Sequence, residues 1–288
     1  MISADAFTNS LKKPISIRNL VKQGSLFLDS YDISNSKNEI EWYIQYLYQC
    51  DKSKFYQIID NDFEESFLDN IQNFLIKRSK KTPFQHIIGR ASFYGRDYIV
   101  NPDVLIPRPE SELLIDIIKN KKYKKMLDIG TGTGCLGITA LLENIVDSVD
   151  AVDISRRALE VAKKNQQILN VDNINFYNLD ILNNLPSTQY DIIISNPPYI
   201  SQAEYYELDG TVKNNEPKNA LTDLDNGYTF YIRYASIFQK ILEYRGVAVI
   251  EISHLFCKDN LKDIFKEFSS ITFHKDLNDD YRAISIIK

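Results

Sequence analysis

The run Met126-Leu127-Asp128-Ile129-Gly130-Thr131-Gly132-Thr133-Gly134 passes from an apolar strand through three alternate glycines into a helical stretch. Nothing else in the chain constrains the fold as much. Glycine adopts backbone angles closed to other residues and lets a ligand touch the main chain, so such a junction belongs at the ligand-binding edge of an α/β sheet. Its other meaning is a tight turn with no ligand. The first Gly-x-Gly matches a dinucleotide fingerprint, but Cys135 stands where that pattern wants Gly or Ala, which disfavours a nicotinamide cofactor. Asp153 ends the next apolar segment, 23 residues beyond Gly130, near the ~20-residue spacing at which a carboxylate accepts from ribose hydroxyls. Together these read as a nucleoside site. Asp180 follows the next strand and either receives an adenine amino group or caps the turn after it.

Apolar and helical segments alternate around this loop. Strands are expected over 125–129, 148–152, 173–177, 191–195 and 246–252, with helices near 110–119, 135–143, 155–169 and 227–243. Two tail segments, 271–274 and 283–287, are expected to pair antiparallel. Ahead of them, residues 1–82 read as helical. Ile40, Tyr43, Ile44 and Leu47 fall at i, i+3, i+4 and i+7, and Phe67, Ile71, Phe74 and Leu75 repeat the spacing. Asn35-Ser36 is expected to cap the helix carrying Trp42, and a helix should stop before Thr82-Pro83. The charged run Lys77 to Lys81 reads as a solvated helix end or as a contact for an acidic partner. Residues 83–108 form a connector, with a hairpin turning at Gly95-Arg96-Asp97 and broken by Asn101-Pro102.

The segment Asp191-Ile192-Ile193-Ile194-Ser195-Asn196-Pro197-Pro198-Tyr199 delivers a polar side chain and two prolines to the carboxyl edge of the sheet. A planar NH2 group is a poor nucleophile with hydrogens to donate, so a site acting on one must offer acceptors. The Asn196 side-chain oxygen and the Pro197 carbonyl supply two, holding the nitrogen in line with an electrophile. Pro197 and Pro198 limit backbone freedom, and Tyr199 can stack on the planar group. The plainer meaning is a Pro-Pro turn ending a buried strand.

Several classes are excluded. With 44% hydrophobic and 12% aromatic residues the chain can repay the entropy of ordering. The net charge is −5, and residues 1–85 hold 11 basic and 11 acidic side chains, so the negative excess lies wholly in the later part. That argues against a broad nucleic-acid grip. Cys50, Cys135 and Cys257, and the three histidines, are scattered, which supports neither disulfides nor a metal site. Met1 to Asp5 lack the start of a secretory signal and no run approaches ~20 apolar residues, so a soluble, cytoplasmic protein with no membrane association is expected.

Gly130 to Gly134, Asp153 and Asn196 to Tyr199, in that order, resemble an S-adenosylmethionine-dependent methyltransferase of the amino-group class. The segments Thr82 to Gly89, Leu105 to Glu112, Glu216 to Leu221 and Asp276 to Arg282 narrow this to the peptide chain release factor glutamine methyltransferase family, HemK/PrmC-like. The resemblance covers residues 82–288 by motif and the first part by size and helical character. It implies an α/β fold, with a seven-stranded Rossmann-like class I methyltransferase domain over 109–288, the hairpin connector over 83–108 and a helical substrate-recognition domain over 1–82. It also implies a substrate, the glutamine of the Gly-Gly-Gln loop of class 1 release factors, with no direct nucleic acid. By motif match Gly130, Thr131, Gly132, Thr133, Gly134, Asp153, Asp180, Ile181 and Asn196 would hold S-adenosylmethionine, and Asn196, Pro197, Pro198 and Tyr199 the glutamine amide. Catalysis would rest on Asn196 and Pro197, with no strong general base. Ile181 replaces a frequent aromatic, and Glu251-Ile252-Ser253 replaces the usual Glu-x-Gly. Two other readings remain at this point: an adenine N(6)-methyltransferase, since the same loop suits an exocyclic amine, and a non-catalytic module that binds S-adenosylmethionine or a partner protein.

Overall fold

The computed structural model describes residues 14–288, which fall into two compact units, one ending at Ile88 and one running from Gly89 to Lys288. The expectation about Met1 to Asp5 lies outside the described residues. In the first unit the helical spacing becomes α1 (Ile17–Asp29), α2 (Ser36–Tyr48), α3 (Lys52–Ile58), α4 (Leu68–Ser79) and α5 (Phe84–Ile88). Their apolar stripes close on one another, leaving Leu20, Ile40, Ile44, Ile71, Phe74 and Leu75 fully buried. Each such side chain contributes roughly 1.5–3 kcal/mol.

Two local expectations are corrected here. Asn35 stands at the N-cap of α2 but makes no capping bond, because its Oδ1 accepts from Asn38 Nδ2 at 2.7 Å while Ser36 Oγ donates to Asp29. Within the charged run, Arg78 is buried: it donates to both carboxylate oxygens of Glu39, at 2.6 and 3.1 Å, and to the Thr82 carbonyl at 2.7 Å. Forked pairing with a carboxylate compensates the lost hydration. Arg78 is therefore neither solvated nor open to an acidic partner.

The second unit begins with a hairpin, β1 (Arg90–Phe93) and β2 (Arg96–Ile99). Its turn is Tyr94-Gly95, one residue earlier and shorter than expected, with both residues at positive φ and Phe93 opposite Arg96. Two left-handed residues match the twist of the flanking strands. The main sheet follows in the order β5-β4-β3-β6-β7-β9-β8, from β3 (Tyr123–Ile129), β4 (Val146–Asp153), β5 (Ile174–Asn178), β6 (Tyr190–Ser195), β7 (Leu242–Glu251), β8 (Ser270–Lys275) and β9 (Tyr281–Ile287). Neighbouring pairs are parallel except at β9, which runs against both β7 and β8. The tail strands thus pair antiparallel, as their pattern predicts.

Helices cover both faces. Those that matter below are α6 (Glu112–Ile118), α7 (Cys135–Leu142), α8 (Arg156–Ile168), α9 (Gln202–Glu207), α10 (Gly210–Lys213), α11 (Lys218–Leu221), α12 (Thr229–Ile241) and α13 (Lys258–Ile264). Met126, Ile192 and Ile194 pack on one side with α6 and α7; Leu127 and Ile193 pack on the other with α12 and α13. Burial on both faces explains why these strands are apolar at consecutive positions. Leu242 ends the helical pattern early because it pairs with Tyr190 as the start of β7. The chain leaves β3 for β4 and β5 on one side, and β6 and β7 lie on the other. Ligands of such sheets collect at the carboxyl edge where the order reverses. Gly130 and Asn196 follow the two strands that flank this point.

Candidate active site

The glycine loop is tied to its neighbours through the backbone. Gly130 and Thr131 donate to the Val152 carbonyl, and Gly132 donates to Asp153 Oδ2 at 2.9 Å. Ser155 N donates to the other Asp153 oxygen at 2.8 Å, so one carboxylate joins the loop to the N-terminus of α8. Burial raises the Asp153 carboxyl above its ordinary range, against these two bonds. Gly130 and Gly132 line a cleft of about 390 Å³ with Asp153, Asp180, Ile181 and Asn196. At both glycines φ is positive and an added Cβ would meet no protein atom closer than 3.9 Å. Thr131, Thr133 and Gly134 are not among the cleft's lining residues. Thr131 and Thr133 are buried, and a Cβ on Gly134 would press within 2.9 Å of Ile138. They shape the loop from beneath.

Asp180 holds the following turn, its carboxylate accepting from Leu182 N and Asn183 Nδ2, and it also lines the cleft. Ile181 is buried, and its carbonyl accepts from Arg233 Nε of α12 at 2.9 Å.

Asn196 leaves β6 beside Ser195, whose hydroxyl bonds to the Ile129 carbonyl and to the Tyr234 hydroxyl, both at 2.9 Å. The Asn196 NH2 donates to Ser111 Oγ at 3.1 Å, which engages the donor end of the amide. Asn196 and Pro197 also line a second cleft of about 360 Å³, with Arg108, Tyr199, Glu251 and Arg282 on its walls. Pro198 faces the first cleft only, and Tyr199 the second only. The Tyr199 hydroxyl donates to Glu251 Oε1 at 3.1 Å, and burial beside that carboxylate raises its pKa.

The roles of four residues were not legible in the sequence. Asp128 is fully buried beneath the loop; its Oδ2 accepts from Thr131 Oγ1 and Gly137 N, while Oδ1 has no hydrogen-bond partner among the described residues. Burial pushes this carboxyl up to about 6. Glu251, at the end of β7, is pushed up to about 7 by burial. Glu216 accepts from Ile106 N at 3.0 Å and Arg108 Nη2 at 2.6 Å, which anchors the 105–108 segment between the clefts. Asn165 binds both backbone groups of Ile99 and the Thr133 carbonyl, linking the hairpin to the glycine loop. A polar residue on the inward face of a helix was the available signal for Asn165. Ser253 has no positive φ, so serine in place of glycine there brings no backbone strain. Gly227 instead needs to be glycine: φ is +87° and a Cβ would lie 2.5 Å from the Tyr199 carbonyl.

Among the described residues, no helix is long and apolar enough to cross a membrane, and no group of three or more His, Cys, Asp or Glu side chains is placed to hold a metal.

The Methyltransferase small domain matches residues 109–224, and the PrmC N-terminal domain matches residues 19–89. The fold is similar to a methyltransferase from Pyrococcus furiosus, with a TM-score of 0.55 and 18% identity over 74% of this chain and 98% of that one. Release factor glutamine methyltransferase of Bacillus subtilis is 34% identical over 88% of this chain and 92% of its own length. The protein of the same name in Bacteroides thetaiotaomicron is 37% identical over 72% and 76%. That of Fusobacterium nucleatum is 31% identical over 90% and 75%. With two thirds or more of each of these relatives covered, the chain belongs to the release factor glutamine methyltransferase family.

Proposed function

We propose that this protein transfers a methyl group from S-adenosylmethionine to the side-chain amide nitrogen of the glutamine in the Gly-Gly-Gln loop of class 1 peptide chain release factors. The observation that carries the reading is the meeting of two clefts at Asn196-Pro197, one bearing the glycine loop and Asp153, the other Tyr199 and Glu251. A transferase needs a donor pocket and an acceptor pocket that share a wall at the reacting atoms. The relatives' names supply the identity of the acceptor.

The first cleft fits the nucleoside donor. Gly130 and Gly132 leave open the space that a side chain would fill, and Asp153 keeps lone pairs for ribose hydroxyls beyond the two backbone bonds it accepts. Gly130, Gly132, Asp153, Asp180, Ile181 and Asn196 would line its binding place, with Thr131, Thr133 and Gly134 supporting the loop. S-adenosylmethionine supplies an electrophilic methyl carbon on a sulfonium. The chain's own groups supply alignment. The Asn196 oxygen and Pro197 carbonyl accept the two amide hydrogens, which turns the nitrogen lone pair toward the donor cleft. Pro197 and Pro198 hold these acceptors still, and Tyr199, tied to Glu251, forms the wall on the substrate side. Orientation of this kind is worth up to about 7–11 kcal/mol in well-aligned systems.

Residues 1–82 serve in this reading as the substrate-recognition domain, 83–108 as the connector and 109–288 as the catalytic domain. A release-factor substrate places the work in the cytoplasm, with no direct nucleic-acid contact and no membrane. Mass spectrometry of a class 1 release factor after incubation with enzyme and S-adenosylmethionine tests the proposal: a gain of one methyl on the Gly-Gly-Gln glutamine is expected. Methyl incorporation into unmethylated DNA but not release factor would replace it with the adenine reading. Turnover on neither would favour a binding module.

A further inference from the structure

The structure assigns Glu251 and Ser111 a positioning role: acting in series, they determine which end of the Asn196 side-chain amide faces the substrate. The inference rests on reading Asn196 as the acceptor for the glutamine amide and deepens it. An asparagine amide has nearly the same shape when turned by half a turn, yet it then presents NH2 where an oxygen is needed. Something must break that symmetry.

Three bonds do so. Asn196 Nδ2 donates to Ser111 Oγ at 3.1 Å, Ser111 Oγ donates to Glu251 Oε2 at 2.5 Å, and the Tyr199 hydroxyl donates to Glu251 Oε1 at 3.1 Å. A serine hydroxyl has one proton. With that proton committed to the carboxylate, Ser111 offers Asn196 only lone pairs, and only the NH2 end can answer them. The Asn196 oxygen is left for the substrate. Ser111 and Glu251 are both buried, which shields the bond between them from water. The chain of bonds joins three distant segments, the 3-10 turn Pro109–Ser111, the loop after β6 and the end of β7, and touches no residue of the glycine loop.

The arrangement depends on the charge of Glu251. Once protonated, its carboxyl can donate to Ser111 Oγ, which frees the serine proton for the Asn196 oxygen and lets the amide turn. Burial favours the neutral form, Glu110 adds to it, and Ser111, Tyr199 and Arg282 favour the charged form. Tyr231 and Cys135 also lie within electrostatic range of Glu251, and Tyr231 donates to the Glu251 backbone carbonyl at 2.7 Å rather than to its carboxylate. Arg108, on the same cleft, is engaged by Glu216. The balance puts the Glu251 carboxyl at about 7.

The test uses the full chain with Glu251→Gln, Ser111→Ala and Ser111→Thr. In single-turnover methylation of a release factor, Glu251→Gln and Ser111→Ala should slow methyl transfer roughly 10- to 100-fold, with S-adenosylmethionine affinity within about twofold of the parent. Ser111→Thr keeps the hydroxyl and should keep most of the rate. The parent's rate should fall on the acid side of a pH near 7, and this limb should vanish in Ser111→Ala. A second readout needs no turnover: the Asn196 side-chain amide resonance, identified by its loss in Asn196→Ala, should move with pH through about 7 in the parent and stay still in Glu251→Gln. If Glu251→Gln does not fold, Ser111→Ala decides alone, by rate and by the same resonance. An active parent with variants of equal rate and an unchanged resonance overturns the positioning role. A parent inactive on release factor whose Asn196 resonance still follows Glu251 overturns the substrate reading and leaves the positioning role standing.

Discussion

Replacing Asp128 by asparagine should remove a pH-dependent penalty on folding that the parent carries beneath its glycine loop. The Asp128 carboxyl is fully buried, and burial outweighs the bonds from Thr131 and Gly137, lifting it from the usual 3.8 to about 6 in the folded protein. Below the unfolded value the group is protonated in both states and folding is unaffected. Between that value and about 6 the unfolded chain releases a proton that the folded one keeps, so stability falls as pH rises. Above the window both forms are ionised and the penalty is constant. A carboxyl raised from 3.8 to about 6 carries a penalty of about 3 kcal/mol once ionised. Asparagine does not titrate, so the stability of Asp128→Asn minus that of the parent should rise by about 2 kcal/mol between about pH 4 and about pH 7, the rest of the penalty being present already at pH 4. Any cost of seating the new NH2 is the same at every pH, and the titration of Glu251 occurs in both proteins and cancels. Urea unfolding followed by far-ultraviolet circular dichroism measures this. The sole tryptophan, Trp42, lies in the other unit and is the wrong probe. A difference that stays flat across the window would refute the account of Asp128 as an acid held against its preference.

Asp153→Ala should weaken S-adenosylmethionine binding by about 1–3 kcal/mol by calorimetry, since it removes a charged acceptor and strands the N–H groups of Gly132 and Ser155; unchanged affinity would take Asp153 out of the site. Asn196→Ala should leave that affinity nearly intact and cut methyl transfer steeply in single turnovers, with Asn196→Asp between alanine and the parent. An alanine variant as fast as the parent would contradict the role given to the loop. Arg78→Ala strips the partner from buried Glu39 and should destabilise the first unit by about 3–5 kcal/mol, read by Trp42 fluorescence; a change under about 1 kcal/mol would mean the pair is solvated in solution. A chain of residues 89–288 should bind S-adenosylmethionine but methylate intact release factor poorly, because a lone catalytic unit lacks the proposed recognition surface; full activity would remove that role from the helical unit.

What could be read from the residues alone is what local chemistry dictates. A glycine loop after an apolar strand, an acid at the end of the next strand, and Asn-Pro-Pro-Tyr after a fourth each declare themselves within ten residues, because backbone freedom, strand burial and proline restriction act locally. Their order along the chain then implies a common sheet edge, and Gly130, Asp153 and Asn196 meet there. The apolar helical stripes of residues 40–47 and 67–75 likewise announce a helical core.

Tertiary structure decided everything that depends on partners far apart in the chain. Glu251 and Ser111 are 140 residues apart, Arg108 and Glu216 108 apart, and Arg78 and Glu39 39 apart. No periodicity predicts such pairs, because a buried polar group is stable only beside a partner that folding brings to it. The Asn196 loop makes the contrast plain. Its acceptor chemistry was visible in four consecutive residues, whereas the orientation of its amide is set by a serine and a glutamate that only the folded sheet brings together, since a hydrogen-bond direction is a property of the assembled site and not of the segment.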